Sequence, residues 1–352
     1  MKVMIVISNS GVGGSQRVAM HLAHWLEESS CHSCEIVALK PPVGEAFDMS
    51  SFKFKEITTN RTIVELRSLI KLSKPDVLLS MGVPMCIYTV PACLFTRTKH
   101  IISERNDPSH FAGKRIIKFF SRLLIRLGDG YVFQTSEAQR YYGRRIASKS
   151  IVIANPLFHI ELMPEKEYSR ERDKNIVTVG RLNKQKNHLL LIEAFSKIAN
   201  KYPEYKLTIW GEGKERPVLE KNIRDMELEN KVLLPGSTDN VFQKIYNAAM
   251  FVLPSDFEGM PNALMEAMAL GLPCISTNCP CGGPKDLIKD MENGMLVPVG
   301  NAKLLADAME KFIIDKDSAY KMGHKAIEIR QDYAPDMICI EWMRFFEKVC
   351  NA

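Results

Sequence analysis

The chain has 352 residues, a length that suggests about two domains of ordinary size. Hydrophobic residues make up 46% of the sequence and charged residues 25%, the balance of a soluble globular protein with a sizeable core. No stretch reaches the roughly 20 apolar residues that span a bilayer, and the short apolar start before a glycine cluster does not resemble a secretory signal. The nine cysteines include a C-x-x-C at 31–34 and a C-x-C at 279–281, but neither has the second ligand pair of a zinc site, so we expect reduced cytosolic thiols and no metal site.

Positive charge is concentrated in one part of the sequence. The formal net charge is +6, but residues 97–149 alone hold twelve Lys or Arg and four Asp or Glu, a net +8. The remainder of the chain is therefore slightly acidic. One side of one domain is predicted to be basic and to face phosphate, an anionic membrane or nucleic acid.

The predicted elements alternate between short apolar strands and longer amphipathic helices. In the first half, a strand at 4–7 leads through glycines to a helix at 16–26, and further strands are predicted at 35–39, 77–81, 100–103, 131–134 and 151–155. In the second half, strands at 175–180, 206–211, 231–236, 250–255 and 273–276 alternate with helices at 188–202, 214–226, 241–249 and 263–271. This alternation predicts parallel sheets with helices on both faces.

The fold class that follows is α/β, with two Rossmann-like domains, each a doubly wound parallel sheet. The stretch 156–172 carries two prolines and many charges without a clean period, which is typical of a linker. The predicted domains are therefore residues 1–157 and 158–335, and a final helix is predicted at about 336–352.

Three turns carry residue types suited to a nucleotide ligand, and the first is a glycine cluster. Gly11, Gly13 and Gly14 follow the first strand and precede a helix, where glycine lets a phosphate approach backbone N–H groups. The G-x-G-G spacing matches neither the dinucleotide fingerprint nor a Walker loop. An ordinary strand-to-helix turn remains an equally open interpretation.

The second turn, residues 180–187, also lies between a strand and a helix. Arg181 offers a planar fork for a phosphate, Lys186 adds a compact charge, and the following helix N-terminus adds positive potential. Two cations at this spacing suit a diphosphate. The alternative is a solvated basic loop.

The third stretch, residues 255–273, places two glutamates eight residues apart. Glu258 lies after a strand, whereas Glu266 lies among small apolar residues of a helix, where a buried carboxylate needs a polar partner such as a ribose diol. The turn between them, Gly259, Met260, Pro261 and Asn262, would present helix N-terminal N–H groups to a sugar or phosphate. The alternative places Glu266 on an exposed helix face.

Together these stretches resemble the GT-B glycosyltransferases, specifically glycosyltransferase family 4, along essentially the whole chain. The matching residues are Gly180, Arg181, Leu182 and Lys186 in the first motif, and Glu258 and Glu266 in the E-x7-E motif. The resemblance implies that Arg181 and Lys186 bind the donor diphosphate, that Glu258 contacts the donor sugar and that Glu266 contacts the ribose. It makes Arg181, Lys186 and Glu258 the catalytic candidates.

The resemblance also implies the reaction and the architecture. Transfer would be retaining and metal-independent, with a nucleotide sugar, expected to be a UDP-sugar, as co-substrate and no other cofactor. The two domains would face each other across a cleft, with donor on the second and acceptor on the first, and closure would bring Gly13 and Gly14 to the donor phosphates. The final helix would pack back on the first domain. Residues 279–288 look like those of bacterial enzymes that build surface polysaccharides on a polyprenyl-diphosphate carrier.

One position departs from the family pattern. Glu104 and Arg105 stand where relatives often have Glu-His, and a guanidinium stays protonated near neutral pH, so Arg105 is not a general base. Arg105 remains a candidate for binding phosphate or sugar, and Glu104 for binding acceptor or supporting Arg105. A retaining front-face transfer needs no external base, because a donor phosphate oxygen takes the proton.

The centre of the basic segment is a predicted amphipathic helix at 114–127. Its cations share one arc, namely Lys114, Arg115, Lys118, Arg122 and Arg126. Its apolar residues lie on the other side, namely Ile116, Phe120, Leu123 and Leu127. Lys114, Arg115 and Lys118 are acceptor-site candidates. Either the helix packs its apolar side on the sheet as an ordinary surface helix, or its cations hold an anionic membrane, and the two are compatible. Electrostatic attachment predicts release by high salt.

The predicted function is transfer of a hexose or N-acetylhexosamine from a nucleotide sugar to a polyprenyl-diphosphate-linked saccharide. The predicted location is peripheral, on the inner face of the cytoplasmic membrane. Three alternatives stay open: a family 4 transferase with a soluble acceptor, a silent subunit that binds nucleotide without turnover, and a nucleic-acid-binding Rossmann-like protein. The last lacks interleaved aromatics and leaves Glu258 and Glu266 unexplained.

Overall fold

The computed structural model describes residues 1–11, 13–28, 31–42, 46–110, 115–164 and 171–352. They form two compact units, the first of Met1–Pro156 with Pro335–Ala352 and the second of Leu157–Ala334. Each unit is built on one parallel sheet, so the α/β class with two Rossmann-like domains is confirmed. Among the described helices, none has the length and apolar character required to traverse a bilayer.

The first unit contains a seven-stranded sheet in the order β3-β2-β1-β4-β5-β6-β7, with every neighbouring pair parallel. Its strands are β1 (Lys2–Ile7), β2 (Ser33–Ala38), β3 (Phe54–Glu56), β4 (Val77–Met81), β5 (Lys99–Glu104), β6 (Gly130–Phe133) and β7 (Ser150–Val152). Central strands buried on both faces explain the nearly continuous apolar runs of β1 and β4. The order reverses between β1 and β4, which places a topological switch point at their carboxyl ends.

Helices flank this sheet on both sides. They are α1 (Gly14–Glu28), α2 (Thr62–Ser73), α3 (Cys86–Cys93), α4 (Arg115–Leu124), α5 (Ser136–Tyr141) and α6 (Arg144–Ala147). α1 is an ordinary amphipathic helix that buries Val18, Leu22 and Leu26.

The helix α4 departs from the ordinary pattern. Its buried side consists of Ser121, followed by Ile125 in the 3-10 turn Ile125–Leu127. The apolar residues predicted to pack on the sheet, Ile116, Phe120, Leu123 and Leu127, are all exposed. The expectation that this face packs inward is therefore wrong, because the helix turns a different, narrower side toward α3.

The second unit contains a six-stranded parallel sheet in the order β10-β9-β8-β11-β12-β13. Its strands are β8 (Asp173–Val179), β9 (Lys206–Trp210), β10 (Val232–Gly236), β11 (Ala248–Leu253), β12 (Cys274–Thr277) and β13 (Met295–Val297). Its helices are α7 (His188–Ala199), α8 (Arg216–Asp225), α9 (Val241–Ile245), α10 (Asn262–Ala269), α11 (Gly283–Leu287), α12 (Ala302–Ile314), α13 (Lys316–Ala326) and α14 (Ile329–Asp332). Here the switch point lies between β8 and β11.

The final helix, α15 (Pro335–Cys350), belongs to the first unit although it follows the second in sequence. It contacts α1 and buries Trp342, Phe345 and Phe346. These three aromatic side chains bury a large apolar area and hold the helix on the first unit.

The chain passes from the first unit to the second between Pro156 and Leu157, at the start of the predicted linker 156–172. Leu157, Phe158 and Met163 are buried, and the Leu157 backbone N–H donates to the Tyr333 carbonyl over 2.9 Å. These residues therefore pack as part of the second unit. The prolines and charges that suggested a linker surround apolar residues that the unit uses as core.

Candidate active site

The first functional turn joins β8 to α7 and carries Gly180, Arg181 and Lys186. Leu182 is fully buried, donates its N–H to the Glu212 carbonyl over 2.8 Å and thereby anchors the turn. Arg181 is exposed beside this anchor. The arrangement leaves the guanidinium accessible at the carboxyl edge of the sheet while the backbone beneath it is fixed.

A glycine in the neighbouring turn permits this anchoring. Gly211 has φ +137°, and a Cβ at that position would lie 2.0 Å from the Gly180 carbonyl oxygen. Any larger residue would force the two turns apart. The turn after β9 therefore supports the turn that carries Arg181.

Asparagine side chains shape the rest of this first turn. Asn183 accepts from the Lys186 backbone N–H over 3.0 Å and caps the 3-10 turn Lys184–Lys186. Asn187, at φ +44°, accepts from the Leu190 N–H over 3.2 Å and caps α7. The position and backbone direction of Lys186 are thus set by caps on both sides.

The second functional turn follows β11 and lies beside the first because β8 and β11 are neighbours. The Gln185 carbonyl accepts from the Asp256 N–H over 2.9 Å, and the Gln185 side-chain amide donates to the Phe257 carbonyl over 3.0 Å. Asn187 Nδ2 donates to Asp256 Oδ1 over 2.7 Å. These bonds join residues about seventy positions apart into one surface.

An ion pair lies at the centre of this surface. Lys186 Nζ is 2.6 Å from Glu258 Oε1, and the two side chains are 18% and 7% exposed. The Ser255 hydroxyl, itself buried, donates to the same carboxylate oxygen over 2.7 Å. The pair is held firmly, yet the ammonium has three N–H donors and keeps capacity for a second anionic partner.

The donor-loop candidates Gly259, Met260 and Pro261 are buried, and Asn262 begins α10. Pro261 precedes α10, and its carbonyl accepts from the Leu264 and Met265 N–H groups over 3.1 and 3.2 Å. The Glu258 N–H donates to the Pro280 carbonyl over 3.2 Å. A Cβ at Gly283 would lie 1.6 Å from the Gly259 carbonyl oxygen. The stretch 279–283 thus lies directly against the loop.

The two cysteines of this supporting stretch, Cys279 and Cys281, are both buried and are free thiols. Burial, together with the nearby Glu258 carboxylate, raises the pKa of Cys279 to about 12. The thiol is therefore neutral and serves as packing beside the ion pair.

The other predicted glutamate, Glu266, lies within α10 eight residues after Glu258. It is half-buried, between the buried side chains of Met265 and Ala267. The alternative of a fully exposed helix face is therefore wrong. Glu266 therefore lies on α10, the helix that follows residues 259–261.

Sequence reasoning missed several residues of this surface, namely Gln185, Asn187, His188, Ser255 and Asp256. Burial and the neighbouring Lys186 charge lower the pKa of His188 to about 3, so its imidazole is neutral. The asparagine before a helix was a usable signal for a cap. The contacts of Gln185 and Asp256 had no local signal, because they depend on which strands are neighbours.

The candidates of the first unit lie at the carboxyl edge of its own sheet. Gly13 and Gly14 follow β1, next to the switch point, and Gly14 is the first residue of α1. Gln16 folds back there, with Oε1 only 2.6 Å from where a Gly13 Cβ would be. The two glycines belong to a different unit from the other donor candidates.

Glu104 ends β5 and is almost fully buried. Tyr142 donates its hydroxyl to Glu104 Oε2 over 2.7 Å, and the Arg105 backbone N–H donates to Oε1 over 3.0 Å. Burial nevertheless raises the pKa of Glu104 to about 7, while these hydrogen bonds oppose the rise. Glu104 therefore changes charge near neutral pH.

Arg105 lies beside it and is tied to Asn155, with Nη2 donating to Oδ1. Burial lowers the pKa of Arg105 to about 10, which still leaves it charged at neutral pH. Its Nε and Nη1 are buried and lack an acceptor among the residues that the structure describes. Of the remaining acceptor candidates, Arg115 and Lys118 lie on α4, and Lys114 lies outside the described residues.

Two parallel sheets with switch-point sites, a cationic turn after β8 and an E-x7-E motif that runs from the turn after β11 into α10 are the features of the GT-B class of glycosyltransferases. Residues 159–329 match the family model described as glycosyl transferases group 1. This stretch is just under half of the chain and nearly all of the second unit. The second unit is therefore that of a group 1 glycosyltransferase, the family 4 type.

Relatives extend over nearly the whole length of the chain. An uncharacterized glycosyltransferase of Haemophilus influenzae is 26% identical and covers 97% of this chain and 98% of that protein. The GalNAc-alpha-(1->4)-GalNAc-alpha-(1->3)-diNAcBac-PP-undecaprenol alpha-1,4-N-acetyl-D-galactosaminyltransferase of Campylobacter jejuni is 26% identical and covers all of both chains. The structure of Anabaena Alr3699/HepE in complex with UDP has a TM-score of 0.85 at 16% identity, over 99% of this chain and 100% of that one.

Proposed function

We propose that the protein transfers a hexose or N-acetylhexosamine from a UDP-sugar, with retention at the anomeric carbon, to a polyprenyl-diphosphate-linked saccharide. The observation that carries the proposal is the Lys186–Glu258 pair, held where two turns meet at the switch point of the second sheet. The Campylobacter relative is named for an undecaprenyl-diphosphate saccharide, and the Anabaena neighbour holds UDP. Both support this choice of acceptor and donor.

In this proposal the donor occupies the surface formed by the two turns of the second unit. The exposed Arg181 fork and the Lys186 ammonium bind the diphosphate and stabilise the charge that develops on it. Glu258 accepts hydrogen bonds from the donor sugar, Glu266 accepts them from the ribose, and the start of α10 faces the donor. Gly13 and Gly14 contribute backbone N–H groups to the phosphates.

Retention follows from reaction at one face of the sugar. The bond from the anomeric carbon to the diphosphate oxygen breaks, the bond to the acceptor oxygen forms on the same side, and the acceptor proton passes to the departing phosphate oxygen. No side chain has to take that proton. In the first unit, Arg105 offers two buried N–H groups to acceptor oxygens, and Asn155 holds its guanidinium by a hydrogen bond. The nearby Glu104 charge favours the cationic form of Arg105.

The proposed location is the inner face of the cytoplasmic membrane, where the acceptor lipid resides. The basic segment around Arg115 and Lys118 is suited to anionic headgroups and to the acceptor diphosphate. The protein would associate peripherally, without binding nucleic acid.

The decisive experiment is turnover. Purified protein is incubated with a panel of UDP- and other nucleotide sugars and a polyprenyl-diphosphate saccharide, and products are identified by mass spectrometry and their anomeric configuration by NMR. The proposal expects an α-linked product from an α-linked donor. Transfer only to a soluble sugar would select the soluble-acceptor alternative. Nucleotide binding without any transfer would select the silent subunit.

Glu266 is testable without knowing the sugar. UDP should raise the melting temperature of the wild-type protein, and Glu266→Ala should remove most of that shift, because the ribose diol loses its acceptor. The measurement is differential scanning fluorimetry with UDP and with a single-stranded oligonucleotide. Glu292→Ala, which removes an exposed carboxylate of the same unit, is the matched control. An undiminished shift in Glu266→Ala would place the ribose elsewhere.

Metal removal is expected to leave turnover unchanged. Arg181 and Lys186 supply the positive charge that a divalent ion would otherwise supply to the leaving diphosphate. Initial rates are compared before and after dialysis against EDTA, and again after adding back Mg²⁺ or Mn²⁺. A loss of rate that either ion restores would contradict the metal-independent reaction.

A further inference from the structure

The helix α4 has three distinct sides rather than two. One side packs on α3 and on the 3-10 turn Val83–Met85, and it includes Ser121 and, beyond the helix, Ile125. At 100° per residue, the cations follow next around the axis, and the apolar residues fill the remaining arc. A surface helix of a soluble protein ordinarily buries its apolar arc, and this one does not.

The apolar arc is a patch of large side chains in water. We call it the α4 surface, and its residues are Ile116, Phe119, Phe120, Leu123 and Leu127, exposed by 47% to 66%. Single exposed apolar residues are normal, but five on one helix arc form a contiguous patch, which marks an interaction site.

Cations border the α4 surface on one side only. Arg115, Arg122 and Arg126 are exposed, and Lys118 Nζ donates to the Ser109 carbonyl over 3.3 Å. The Arg122 guanidinium lies over the Tyr141 ring at 5.6 Å, with Tyr141 partly exposed beside it. An apolar arc bordered by Arg, Lys and a tyrosine is the composition of a helix that lies in the headgroup region of a membrane.

A second exposed apolar side chain, Phe95, lies at the same edge of the sheet as the end of α4. Phe95 is 97% exposed, and its backbone is left-handed with φ +60°. Arg67 Nη1 donates to the Leu94 carbonyl over 2.7 Å and fixes this turn. The turn follows α3 and precedes β5, at the amino edge of the sheet where α4 also ends. We call it the Leu94–Phe95 turn.

The charges decide between a bilayer and a second copy of this chain. A two-fold dimer through the α4 surface would pair this surface with itself, and residues 115–127 include no Asp or Glu that could pair with the cations of the other copy. An anionic bilayer instead offers acyl chains to the apolar arc and phosphates to the cations. A bilayer can therefore contact the apolar arc and the cations at the same time, and we favour it over a second copy of the chain.

We propose that the α4 surface and the Leu94–Phe95 turn insert into an anionic bilayer and attach the first unit to it. The inference deepens the proposed peripheral location and rests on it. It also changes the expectation of complete release by high salt, because salt screens the cations and leaves the apolar contribution intact. Attachment should weaken in salt but persist.

The test is flotation of the full-length protein with vesicles of phosphatidylethanolamine and phosphatidylglycerol, at low salt and at about 1 M NaCl. The wild-type protein should bind at both salt concentrations. The apolar variant Ile116→Ser, Phe120→Ser, Leu123→Ser should bind at least about tenfold more weakly at both, and Phe95→Ser should reduce binding by a smaller factor. The charge variant Arg115→Gln, Arg122→Gln, Arg126→Gln should lose binding chiefly at low salt.

Ile314→Ser is the matched control, since Ile314 is an equally exposed apolar residue of the second unit. It should bind as wild type. A Phe119→Trp variant gives a second readout, because insertion predicts quenching of the introduced indole fluorescence by lipids brominated on their acyl chains. Neither readout requires the apolar variant to retain activity.

Two results would overturn the proposal. One is unchanged vesicle binding in the apolar variant together with unquenched indole fluorescence in the Phe119→Trp variant. The other is a wild-type dimer, measured by sedimentation without lipid, that the apolar variant abolishes while vesicle binding stays the same. Vesicle binding does not depend on turnover, so an inactive protein that still inserts would count against the proposed function alone.

Discussion

Lys186→Ala should lower kcat/KM for the nucleotide sugar by about 10² to 10³-fold, the range expected when a group that stabilises transition-state charge is removed. The ammonium is paired with Glu258 at 2.6 Å and is mostly buried, so its charge acts where solvent screening is weak. Initial-rate kinetics on the wild type and the variant measure the effect. Lys184→Ala removes an exposed cation of the same turn and should change kcat/KM less than about twofold.

A double substitution separates catalysis from stability. Lys186→Ala leaves the buried Glu258 carboxylate without its cation and should lower the free energy of unfolding of the second unit by about 2 kcal/mol. Lys186→Ala with Glu258→Gln should recover much of that stability, since a neutral amide needs no counter-ion, yet it should remain as inactive as the single variant. Recovery of turnover along with stability would mean that Lys186 is a structural residue and does not act on the donor.

The second large effect concerns pH and the stability of the first unit. Burial raises the pKa of Glu104 to about 7, above the usual value of about 4.5. The folded state therefore binds a proton that the unfolded state has lost between these pH values. The stability linked to this group is complete below about pH 4.5 and is lost as the pH rises through about 7.

Glu104→Gln should abolish this loss. As the pH rises from 4.5 to 8, the free energy of unfolding of the variant should therefore increase by about 3 kcal/mol relative to that of the wild type. In the variant, the amide oxygen can still accept a hydrogen bond from the Arg105 backbone N–H, and the amide NH2 can donate one to the Tyr142 hydroxyl oxygen. Urea unfolding is followed by tryptophan fluorescence in a Trp210→Phe background, which leaves Trp25 and Trp342 as reporters in the first unit. Glu137→Gln, an exposed carboxyl of α5, should show no such pH-dependent gain. If the free energies of unfolding of Glu104→Gln and wild type change in parallel between pH 4.5 and pH 8, the carboxyl of Glu104 is charged over that whole range and the prediction is wrong.

Much of the fold follows from the sequence because its central strands are buried on both faces. Runs such as those of β1 and β4 are apolar at all but one position, and their alternation with amphipathic helices indicates a parallel sheet. β3 and β13 were missed because each has only three residues. β7 is equally short, but it was predicted because the apolar run of residues 151–154 continues past its end. Short edge strands leave no periodic signal.

The residue types of the site could be predicted from the sequence, but the contacts between its two turns could not. Arg181, Lys186, Glu258 and Glu266 stand in motifs that sequence alone displays. The partnership of Lys186 with Glu258 depends on β8 and β11 being neighbours, which no local pattern specifies. α4 shows the opposite failure, since its amphipathic period was correct and the direction of its apolar arc was not. The spacing of apolar residues shows which side of a helix is apolar, but it does not show whether that side faces the sheet or the solvent.

The contact between Gly283 and Gly259 has a consequence for attempts to alter which sugar the enzyme transfers. The backbones of two loops touch with no space for even one methyl group, and the bond from Glu258 to Pro280 joins them again. Residues 259–262 therefore cannot be exchanged alone for those of a homologue. A chimaera that changes donor preference has to transplant 279–283 in the same step, because both stretches together make one preformed wall.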